Sequence, residues 1–548
     1  MKPPLLALLS ALALSVLVPL SANAVSPSSP LSAHPASHPT AHGCAEVTVA
    51  APAGAAIESV TAAHQPGGTV TFPAVPPLPA PPPAEGVPAF CDITVTVTHP
   101  GAHDHEHLRI WLPDTGWTGR FQAVGGSAYA AGDFGAGLAA AIKGGYAAAT
   151  TDAGVTPAYL DVGAWALTPG GSVNKPLVED FASRAQHDLA VVGKEVTAEV
   201  YGRSVDHSYF NGCSTGGREG YMEAQRYAGD YDGILADAPG TNWDEFEVAT
   251  LWPQVVMNQE HTFPTSCEFS AFTDAAVKAC DKLDGAPDGL IAEPQNCGFD
   301  PRRLVGTTIL CDGKPVRISA ADATVVRKIW DGPTSPSGKK LWSGIPIGAS
   351  FDGLAGTQQN PAGTRSGAPF PVPAIWVSTF VEHQPALDTA TITYREFAEI
   401  FRQSQEQYDG VIGTDDPDLS AFRKAGGKLL TYHGDADQYI PTQGTVDYRQ
   451  QVDRLMGGTK KVDDFYRLFL APGVGHCGES GTGPVPTDPL SALTNWVEHG
   501  KAPATLPAAT TDAAGRTISR DLCRYPLISR YDGHGDPAVA ASYRCATA

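Results

Sequence analysis

The chain has 548 residues, of which 42% are hydrophobic and 17% are charged, and its formal net charge is −21 at pH 7. An apolar content this high excludes a wholly disordered chain. The acidic balance argues against nucleic-acid binding, because neutralising phosphates requires clustered lysine and arginine. The length predicts more than one domain, and the high glycine and proline content predicts many turns.

The first 24 residues have the pattern of a secretion signal. Lys2 provides the positive start, residues 5–20 form an apolar core, and Ala22–Ala24 offers small residues for cleavage. A membrane anchor is the alternative, but serine and proline interrupt the short apolar stretch. No later stretch of about 20 uninterrupted apolar residues follows. We therefore expect a secreted, extracellular protein whose mature chain does not span a membrane.

Residues 25–90 are predicted to be a flexible leader followed by a proline-rich segment. Regular structure is expected to begin near Asp92, where polar and apolar residues alternate as in a β-strand. Strands then alternate with helices, which is typical of a parallel α/β sheet. The predicted elements, in chain order, are strands at 92–97, 107–112, 120–124 and 145–150, a helix at 180–201, a strand at 208–210, a helix at 217–227, strands at 233–236, 428–432 and 465–470, and a helix at 489–499.

Residues 241–410 interrupt this alternation with glycine, proline, aspartate and four cysteines. The economical interpretation is one α/β core, made of residues 91–240 and 411–548, that is split by an inserted lid domain at 241–410. Because the insertion leaves and re-enters between core strands, we expect it to cover the functional site.

All ten cysteines lie beyond the predicted signal, and an even number in an exported chain predicts five disulfides. A zinc site is the alternative, but no Cys-x-x-Cys occurs. Spacing favours Cys523–Cys545 as a local bridge near the C-terminus and Cys280–Cys297 as a closed loop. It does not choose partners for the remaining cysteines, which are Cys44, Cys91, Cys213, Cys267, Cys311 and Cys477.

The strongest motif is the Gly-x-Ser-x-Gly pattern around Ser214. A predicted strand precedes it and a predicted helix follows it. This is the context of a nucleophile elbow, in which small neighbours let a strained turn present a serine hydroxyl. A structural glycine turn with an inert serine is the alternative. We predict that Ser214 is a nucleophile.

A serine hydroxyl needs a base to accept its proton, and the base needs a carboxylate to orient it. In α/β-hydrolases the chain order is serine, acid, histidine. The strand at 428–432 runs into a turn that contains Asp437, which we predict to be the acid, and Asp435, which is its rival. Two solvated turn aspartates are the alternative.

The histidine predicted to be the base is His476, which follows the strand at 465–470. Two other histidines are lesser candidates for this role: His433 and His499. What singles out His476 is its neighbour Cys477, since Cys213 likewise stands beside Ser214. A disulfide between these two cysteines would hold two distant segments within bonding range, which gives both thiols a purpose.

Several stretches together carry a resemblance to a known family: Asp180–Ala185, Tyr209–Asn211, Gly212–Gly217, Glu223–Tyr227, His433–Asp437 and Gly475–Cys477. They resemble the tannase/feruloyl esterase family, and the likeness runs from about Cys44 to Cys545. Members are secreted α/β-hydrolases with a large lid domain that cleave aromatic esters. The resemblance implies an α/β-hydrolase core with a large inserted lid domain, together with the Cys213–Cys477 disulfide.

The expected reaction also needs two backbone N–H donors for an oxyanion. Thr215, directly after the nucleophile, is expected to supply one of them. Gly126, which follows the strand at 120–124, is expected to supply the other. A plain turn at the end of that strand is the alternative for Gly125 and Gly126.

Residues 280–290 place three carboxylates on one short loop, where they repel one another unless a cation gathers them. Oxygen ligands suit Ca²⁺, although the spacing is not that of an EF-hand and two Asp-Gly turns are the alternative. The loop resembles the family's calcium site in the lid, which implies a structural role. The implied ligands are Asp281, Asp284 and Asp288, with the carbonyls of Ala286 and Leu290. No organic cofactor is expected.

Two residues are expected to contact substrate. The family resemblance implies that Ile440 touches the acyl group, and Phe401 belongs to a set of aromatic residues that could form a wall around it. The set comprises Trp252, Trp342, Phe397, Phe401 and Tyr408.

The sequence therefore predicts a secreted serine carboxylic ester hydrolase that acts on aromatic acyl esters, first feruloyl and other hydroxycinnamoyl esters of plant cell-wall polysaccharide. Hydrolysis of galloyl esters, as by a tannase, is the near alternative, and hydrolysis of terephthalate monoesters, as by mono(2-hydroxyethyl) terephthalate hydrolase, is another. From other classes, a non-catalytic calcium-stabilised binding protein and a serine peptidase remain open.

Overall fold

The structure is a computed structural model that describes Cys44 and residues 47–547, apart from residues 77, 134, 157 and 362. The predicted secretion signal at 1–24 and the first part of the predicted leader lie outside the described residues. In that described part of the chain, no helix is both long enough and apolar enough to cross a membrane.

The strands, in chain order, are β1 (Ala56–Gln65), β2 (Gly68–Val70), β3 (Ala84–Val87), β4 (Phe90–Thr98), β5 (Glu106–Pro113), β6 (Arg120–Val124), β7 (Tyr146–Thr151), β8 (His207–Cys213), β9 (Gly233–Asp237), β10 (Thr308–Cys311), β11 (Lys314–Arg317), β12 (Thr357–Gln359), β13 (Arg365–Gly367), β14 (Lys428–Gly434), β15 (Tyr466–Ala471), β16 (Val485–Pro486), β17 (Thr505–Thr511), β18 (Thr517–Cys523), β19 (Leu527–Tyr531) and β20 (Tyr543–Thr547).

The α-helices are α1 (Ala136–Lys143), α2 (Lys175–Glu179), α3 (Ala185–Tyr201), α4 (Thr215–Arg226), α5 (Trp243–Thr250), α6 (Trp252–Gln259), α7 (Ser266–Cys280), α8 (Ala320–Asp331), α9 (Pro371–Ile375), α10 (Tyr394–Ile412), α11 (Ser420–Ala425), α12 (Gln443–Met456), α13 (Thr459–Val462) and α14 (Pro489–His499). A π-helical turn at Asp180–Arg184 joins α2 to α3, and another at Trp376–Val381 follows α9. Short 3₁₀ turns lie at Pro294–Asn296, Pro301–Leu304, Thr389–Thr391, His476–Gly478 and Ala540–Ser542.

The main sheet has the strand order β1-β4-β5-β7-β6-β8-β9-β14-β15. The pairs β1–β4, β4–β5 and β5–β7 are antiparallel. The pairs that join β7, β6, β8, β9, β14 and β15, in this order, are parallel. The inner strands are buried on both faces, as in β7 and β9, which is expected of a parallel sheet that is covered by helices. The predicted α/β class is confirmed, and the carboxyl ends of β8, β14 and β15 meet at one edge.

Helices cover the sheet on both faces. On one face, side chains of α3, α4, α11 and α12 pack against alternate strand residues such as Phe210 and Ala149. On the other face, α1 and α14 pack against the intervening residues, such as Tyr209 and Ala148. This alternation along β7 and β8 produces two apolar layers that hold the sheet between them.

The regular structure of the segment between β9 and β14 is mostly helical, and the segment has an apolar core of its own. That core continues into loops at the carboxyl edge of the sheet, where the Tyr129 hydroxyl donates a hydrogen bond to the carbonyl of Val372 at 2.9 Å. Phe370 packs against Tyr439 with ring centroids 4.7 Å apart. The segment therefore contacts the loops that follow β6 and β14. The proposed domain boundaries at residues 241 and 410 stay predictions.

The expectation that regular structure begins near Asp92 is wrong. Strand β1, at Ala56–Gln65, pairs antiparallel with β4 and extends the main sheet by one strand. Its side chains are exposed or half-buried along its whole length, because β1 is an edge strand. An edge strand needs few large apolar residues, so its sequence lacks the strong alternation that identified β4.

Five disulfides are present, as predicted. The two pairs that spacing favoured are confirmed: Cys280–Cys297 and Cys523–Cys545. The pairs that spacing left open are Cys44–Cys91, Cys213–Cys477 and Cys267–Cys311. No free cysteine is found among the described residues.

Candidate active site

Ser214 lies in the sharp turn between β8 and α4. Its backbone has φ 64° and ψ −122°, a conformation that costs a non-glycine residue about 1–3 kcal/mol. Backbone hydrogen bonds hold it there: the Ser214 amide donates to the Asp237 carbonyl at 3.1 Å, and the Ser214 carbonyl accepts from the Arg218 amide at 3.0 Å. The turn has the strained geometry that the sequence predicted for a nucleophile elbow.

The glycines of this turn are required by close backbone approach. A Cβ on Gly212 would lie 2.6 Å from the carbonyl carbon of Gly216. A Cβ on Gly216 would lie 3.1 Å from the carbonyl carbon of Gly125, on the loop after β6. Small residues at these positions therefore let the elbow sit directly against that loop.

The Cys213–Cys477 disulfide joins the elbow to the loop after β15, with the two Cα atoms 5.9 Å apart. The bonded residues are 264 positions apart in the chain. Their immediate neighbours are Ser214 and His476, so the bridge holds both predicted catalytic residues at one edge of the sheet. In the described part of the chain, no hydrogen bond joins the Ser214 hydroxyl to the His476 ring. Such contacts are often long in an enzyme without substrate.

His476 contacts Asp437, the acid that the sequence favoured. Its Nδ1 lies 2.8 Å from Asp437 Oδ2, and the Asp437 carboxylate is fully buried. The rival, Asp435, is also buried, but its Oδ2 has no hydrogen-bond partner, and burial raises its pKa well above the ordinary value. Of the two aspartates in this turn, Asp437 is therefore the one placed to orient the histidine.

The Asp437 carboxylate is satisfied at both oxygens. Oδ1 accepts hydrogen bonds from the amides of Tyr439 and Ile440, each at 2.8 Å. Oδ2 contacts His476 and also Nε2 of His433, at 3.1 Å. Two imidazoles therefore share one carboxylate oxygen.

The role of His433 was not found from the sequence, where it was only a lesser candidate for the base. Its ring is fully buried, Nδ1 lies 2.8 Å from the Thr445 hydroxyl, and Nε2 also lies 3.1 Å from the Ile440 carbonyl. Both ring nitrogens are thus occupied, so His433 supports the Asp437 carboxylate and has no nitrogen free to act as the base. The third histidine, His499, is exposed at the end of α14.

Burial and neighbouring charge shift the pKa values of Asp437 and His476 in opposite directions. Burial alone would raise the pKa of Asp437, but the neighbouring imidazoles of His476 and His433 hold it below its ordinary value. Burial alone would lower the pKa of His476, but the charge of Asp437 and its hydrogen bond raise it above the ordinary value. The carboxylate therefore stays charged and stabilises a protonated His476.

The two predicted oxyanion donors have different surroundings. Thr215 is buried at the start of α4, and its hydroxyl donates to the Ala128 carbonyl at 2.8 Å. The Gly126 amide donates to Oε2 of Glu219 at 2.9 Å. Because an amide has one hydrogen, Gly126 in this conformation does not have it free for an oxyanion, and the structure disagrees with that prediction.

Glu219 is a buried residue of this site that the sequence did not reveal. It lies on α4, is fully buried, and burial raises its pKa to about 8. By accepting from Gly126, it ties the loop after β6 to the nucleophile helix. Only its position five residues after Ser214 could have drawn attention to it.

The acidic loop at 280–290 begins at the last residue of α7, Cys280, which is bonded to Cys297. All three of its carboxylates accept loop amides, Asp281 from Gly289 at 2.6 Å and Asp284 from Ala286 at 3.0 Å. Asp284 is buried, which raises its pKa to about 6.

Asp288 completes the acidic set of this loop. It accepts from the Leu290 amide at 3.1 Å and pairs with Arg520 at 2.7 Å. Among the described residues, the loop's three carboxylates do not form a group whose oxygens lie within 4.8 Å of one another. The oxygen donors fit Ca²⁺ in kind, and the calcium site stays a prediction.

The predicted substrate contacts are buried. Ile440 is 8% exposed and lies in the turn that holds Asp437, while Phe401 is 3% exposed in the core of the segment between β9 and β14. Two half-buried aromatic residues that the sequence did not single out are connected to the histidine by ring contacts. The ring of Tyr439 meets that of His476 edge-on, with centroids 5.5 Å apart, and Phe370 packs against Tyr439.

Comparisons with known proteins show the family. A family model described as "Tannase and feruloyl esterase" matches residues 91–546. A probable feruloyl esterase of Arthroderma benhamiae is 45% identical over 510 residues, which covers 92% of this chain and 94% of that protein.

Solved structures give the same result. A tannin acyl hydrolase from Aspergillus niger superposes with a TM-score of 0.80 at 27% identity and covers 90% of this chain and 92% of its own. Feruloyl esterase B from Aspergillus oryzae superposes with a TM-score of 0.76 at 28% identity and covers 90% and 97%. The family model, the 45% identical relative and the superposed structures all point to one family. This chain therefore belongs to the tannase and feruloyl esterase family.

Proposed function

We propose that this chain is a secreted serine carboxylic ester hydrolase that cleaves aromatic acyl esters, first feruloyl and other hydroxycinnamoyl esters of plant cell-wall polysaccharide. One observation carries the proposal: the strained Ser214 turn is bonded through Cys213–Cys477 to the loop of His476, whose ring contacts buried Asp437. Family membership supports ester hydrolysis, and the 45% identical relative is a probable feruloyl esterase.

In the proposed reaction, the Ser214 hydroxyl attacks the ester carbonyl while His476 accepts its proton. Asp437 holds the imidazole in orientation through Nδ1 and stabilises its charged form. His476 then gives the proton to the leaving alcohol, which departs and leaves an acyl group on Ser214. Water attacks this acyl-enzyme by the same steps in reverse, which releases the acid and restores the serine.

The oxyanion is proposed to receive one hydrogen bond from the Thr215 amide. For the second we replace Gly126 with Ala128, whose carbonyl is bonded to the Thr215 hydroxyl and whose backbone has φ 49°. The Ala128 amide makes no hydrogen bond to another described residue, whereas the Gly126 amide is held by Glu219. One such donor is typically worth about 3–4 kcal/mol in the transition state.

Tyr439 and Phe370 are the aromatic residues that we propose beside the acyl group. Tyr439 contacts His476 and Phe370 contacts Tyr439, so an aromatic ring bound at this edge would meet further aromatic surface. Ile440 is retained as an acyl contact, because it follows Tyr439 in the same turn. Phe401 is a weaker candidate, since its side chain is packed in an apolar core.

Export is supported by the five disulfides, which persist in oxidising compartments, and by the signal pattern at residues 1–24. For the acidic loop at 280–290 we propose a structural Ca²⁺. The ion would be held by Asp281, Asp284 and Asp288 with the carbonyls of Ala286 and Leu290. Buried Asp284 supports this, because a cation would stabilise its charged form.

The proposal is tested with purified enzyme on a panel of methyl ferulate, methyl gallate, mono(2-hydroxyethyl) terephthalate and a peptide anilide. We expect the highest kcat/KM on methyl ferulate and none on the anilide. Ser214→Ala should abolish ester turnover with an unchanged circular dichroism spectrum, and a matched Ser480→Ala variant should keep it. Turnover retained in Ser214→Ala would place the nucleophile elsewhere, and a preference for gallate would make the enzyme a tannase.

A further inference from the structure

The hairpin between β4 and β5 alternates histidine with acid over five residues: His103, Asp104, His105, Glu106 and His107. The three histidines are exposed, whereas Asp104 and Glu106 are 1% and 0% exposed. The acids point inward, toward His99 at the end of β4 and Asp188 on α3. We call His99, Asp104, Glu106 and Asp188 the His99 cluster. It has no part in the proposed ester hydrolysis.

The two ring nitrogens of His99 face different carboxylates. Nδ1 lies 2.7 Å from Oδ2 of Asp104, whose Oδ1 also accepts the His99 amide at 2.7 Å. Nε2 lies 3.1 Å from Oδ2 of Asp188, but that oxygen makes no hydrogen bond. With the ring hydrogen on Nδ1, the lone pair of Nε2 faces a carboxylate oxygen. Two acceptors at this distance repel one another unless a proton or a metal cation lies between them.

Glu106 gives a second, independent sign of a missing partner. Its Oε1 accepts from the Thr151 hydroxyl at 3.0 Å, but its Oε2 is buried and has no partner among the described residues. This side chain lies within the group formed with His99 and Asp188, in which the ligand atoms are all within 4.8 Å of one another. A buried carboxylate oxygen without a partner is costly, so the arrangement favours a bound cation.

The charge balance points the same way. Asp180, in the π-helical turn before α3, adds another buried carboxylate close to the His99 cluster. Arg184 is the cation that pairs with these acids: its Nε lies 2.5 Å from Asp180 and its Nη2 lies 3.5 Å from Asp104. Four carboxyl groups thus share one guanidinium, because an imidazole whose Nε2 lone pair is a metal ligand carries no charge. A divalent cation would offset two of the three remaining negative charges.

We propose that the His99 cluster binds a divalent transition-metal cation, Zn²⁺ or Mn²⁺, through His99 Nε2, Glu106 Oε2 and Asp188 Oδ2. Metal bonds of about 2.0–2.2 Å place neighbouring ligand atoms about 3–4 Å apart, which the 3.1 Å separation of His99 and Asp188 already matches. Asp104 orients the imidazole through Nδ1, as carboxylates commonly do for metal-bound histidine. One imidazole with two carboxylates suits these ions better than Ca²⁺, which takes six to eight oxygens.

The metal would stabilise the support of the nucleophile helix. It would link the β4–β5 hairpin to α3, directly after the turn at Asp180–Arg184. Two carbonyls of that turn, Phe181 and Ala182, accept hydrogen bonds from the buried Arg218 guanidinium at 2.9 and 2.6 Å. Arg218 lies on α4, four residues after Ser214. The metal therefore has a structural role, and it is connected to the active site through the Asp180–Arg184 turn and Arg218.

The test uses the full-length enzyme, stripped of metal by chelator and dialysed against ZnCl₂ or MnCl₂. Metal content is measured by mass spectrometry and affinity by calorimetry. We expect one tight Zn²⁺ or Mn²⁺ per chain, with at least a 10-fold weaker affinity in His99→Gln and Asp188→Asn. The matched control His107→Gln, an exposed histidine of the same hairpin, should bind as the wild type does. Asp284→Asn, in the acidic loop at 280–290, should also retain this ion.

Three results would overturn the proposal: no uptake of Zn²⁺ or Mn²⁺ by the stripped wild type, wild-type affinity in both cluster variants, or an equal loss in His107→Gln. Because the cluster is buried, a variant could fail to fold. Anomalous diffraction from wild-type crystals soaked in ZnCl₂ therefore provides a measurement without substitution. A peak at bonding distance from His99 Nε2 is the expected result, and its absence would contradict the site.

Discussion

Two buried groups of histidine and carboxylate lie at the same edge of the sheet, and they balance charge in opposite ways. In the Asp437 cluster (Asp437, His433 and His476), two imidazoles share one carboxylate, and both carboxylate oxygens are satisfied. In the His99 cluster, one imidazole stands between two carboxylates, and buried oxygens of Glu106 and Asp188 have no hydrogen bond.

The difference shows that the ratio of imidazole to carboxylate decides what a buried cluster can do. An excess of imidazole keeps the acid charged and leaves a histidine able to take up a proton, which suits general base catalysis. An excess of carboxylate leaves negative charge that must be neutralised by protons or by a cation. We therefore propose that the same residue types serve proton transfer in one place and metal binding in the other.

The largest difference in kcat between the two clusters is expected when the aspartate that contacts Nδ1 of the histidine is replaced in each. Asp437→Asn keeps the shape of the side chain but removes the charge and the acceptor that orient His476. We expect kcat on methyl ferulate to fall about 10⁴-fold. The matched change Asp104→Asn in the His99 cluster should alter kcat only a few-fold. A comparable loss in both variants would mean that neither acid acts through the histidine base.

The next largest effect is expected when the supporting imidazole is removed. His433→Gln takes away a buried partner of Asp437, so the free energy of unfolding measured in urea should fall by about 1–3 kcal/mol. Turnover should decline far less than in His476→Gln, because His433 holds the acid and does not contact the reacting groups. Equal losses of kcat in the two variants would contradict this division of roles.

The pH profile gives a smaller but directional test. His476 must be neutral to accept a proton, and its pKa is raised by Asp437, so its protonated form persists to higher pH than in an ordinary histidine, whose pKa is about 6.5. The acidic limb of kcat/KM should therefore lie above that value. The residual activity of Asp437→Asn should show a limb at lower pH. If the acidic limb of the pH profile did not move in Asp437→Asn, it would be assigned to the titration of a group other than His476.

Metal add-back should have the smallest effect, a shift of a few degrees in melting temperature. After chelation, CaCl₂ should raise the melting temperature of the wild type and of Asp188→Asn, but not that of Asp284→Asn. MnCl₂ should restore Asp284→Asn more fully than Asp188→Asn. An identical melting temperature of the wild type with and without chelator would contradict a stabilising ion at either site.

Features that depend on neighbours in the chain were predictable. The Gly-x-Ser-x-Gly pattern, with a strand before it and a helix after it, indicated the Ser214 turn, because small residues at fixed spacing are a local requirement. The placement of Cys213 and Cys477 beside the two chemically interesting residues suggested their bond, which the structure contains. The helix at 489–499 and the strand at 120–124 match α14 and β6.

Features that depend on contacts across the fold were not predictable. The sequence could not show that Glu219 holds the Gly126 amide, since the contact joins residues 93 positions apart and depends on how α4 packs against the loop after β6. It could not show that His99 meets Asp188, because β4 and α3 come together only in the folded chain. Strand β1 was missed because an exposed edge strand carries little apolar patterning.

We expect the disulfide beside Ser214 to determine when the proposed enzyme becomes active. Thiols remain reduced in the cytosol, so Cys213 and Cys477 join only after the chain reaches an oxidising environment. Until then, nothing covalent pins the serine turn to the histidine loop. If the chain is exported as proposed, we expect ester hydrolysis to begin only once this bridge has formed outside the cytosol.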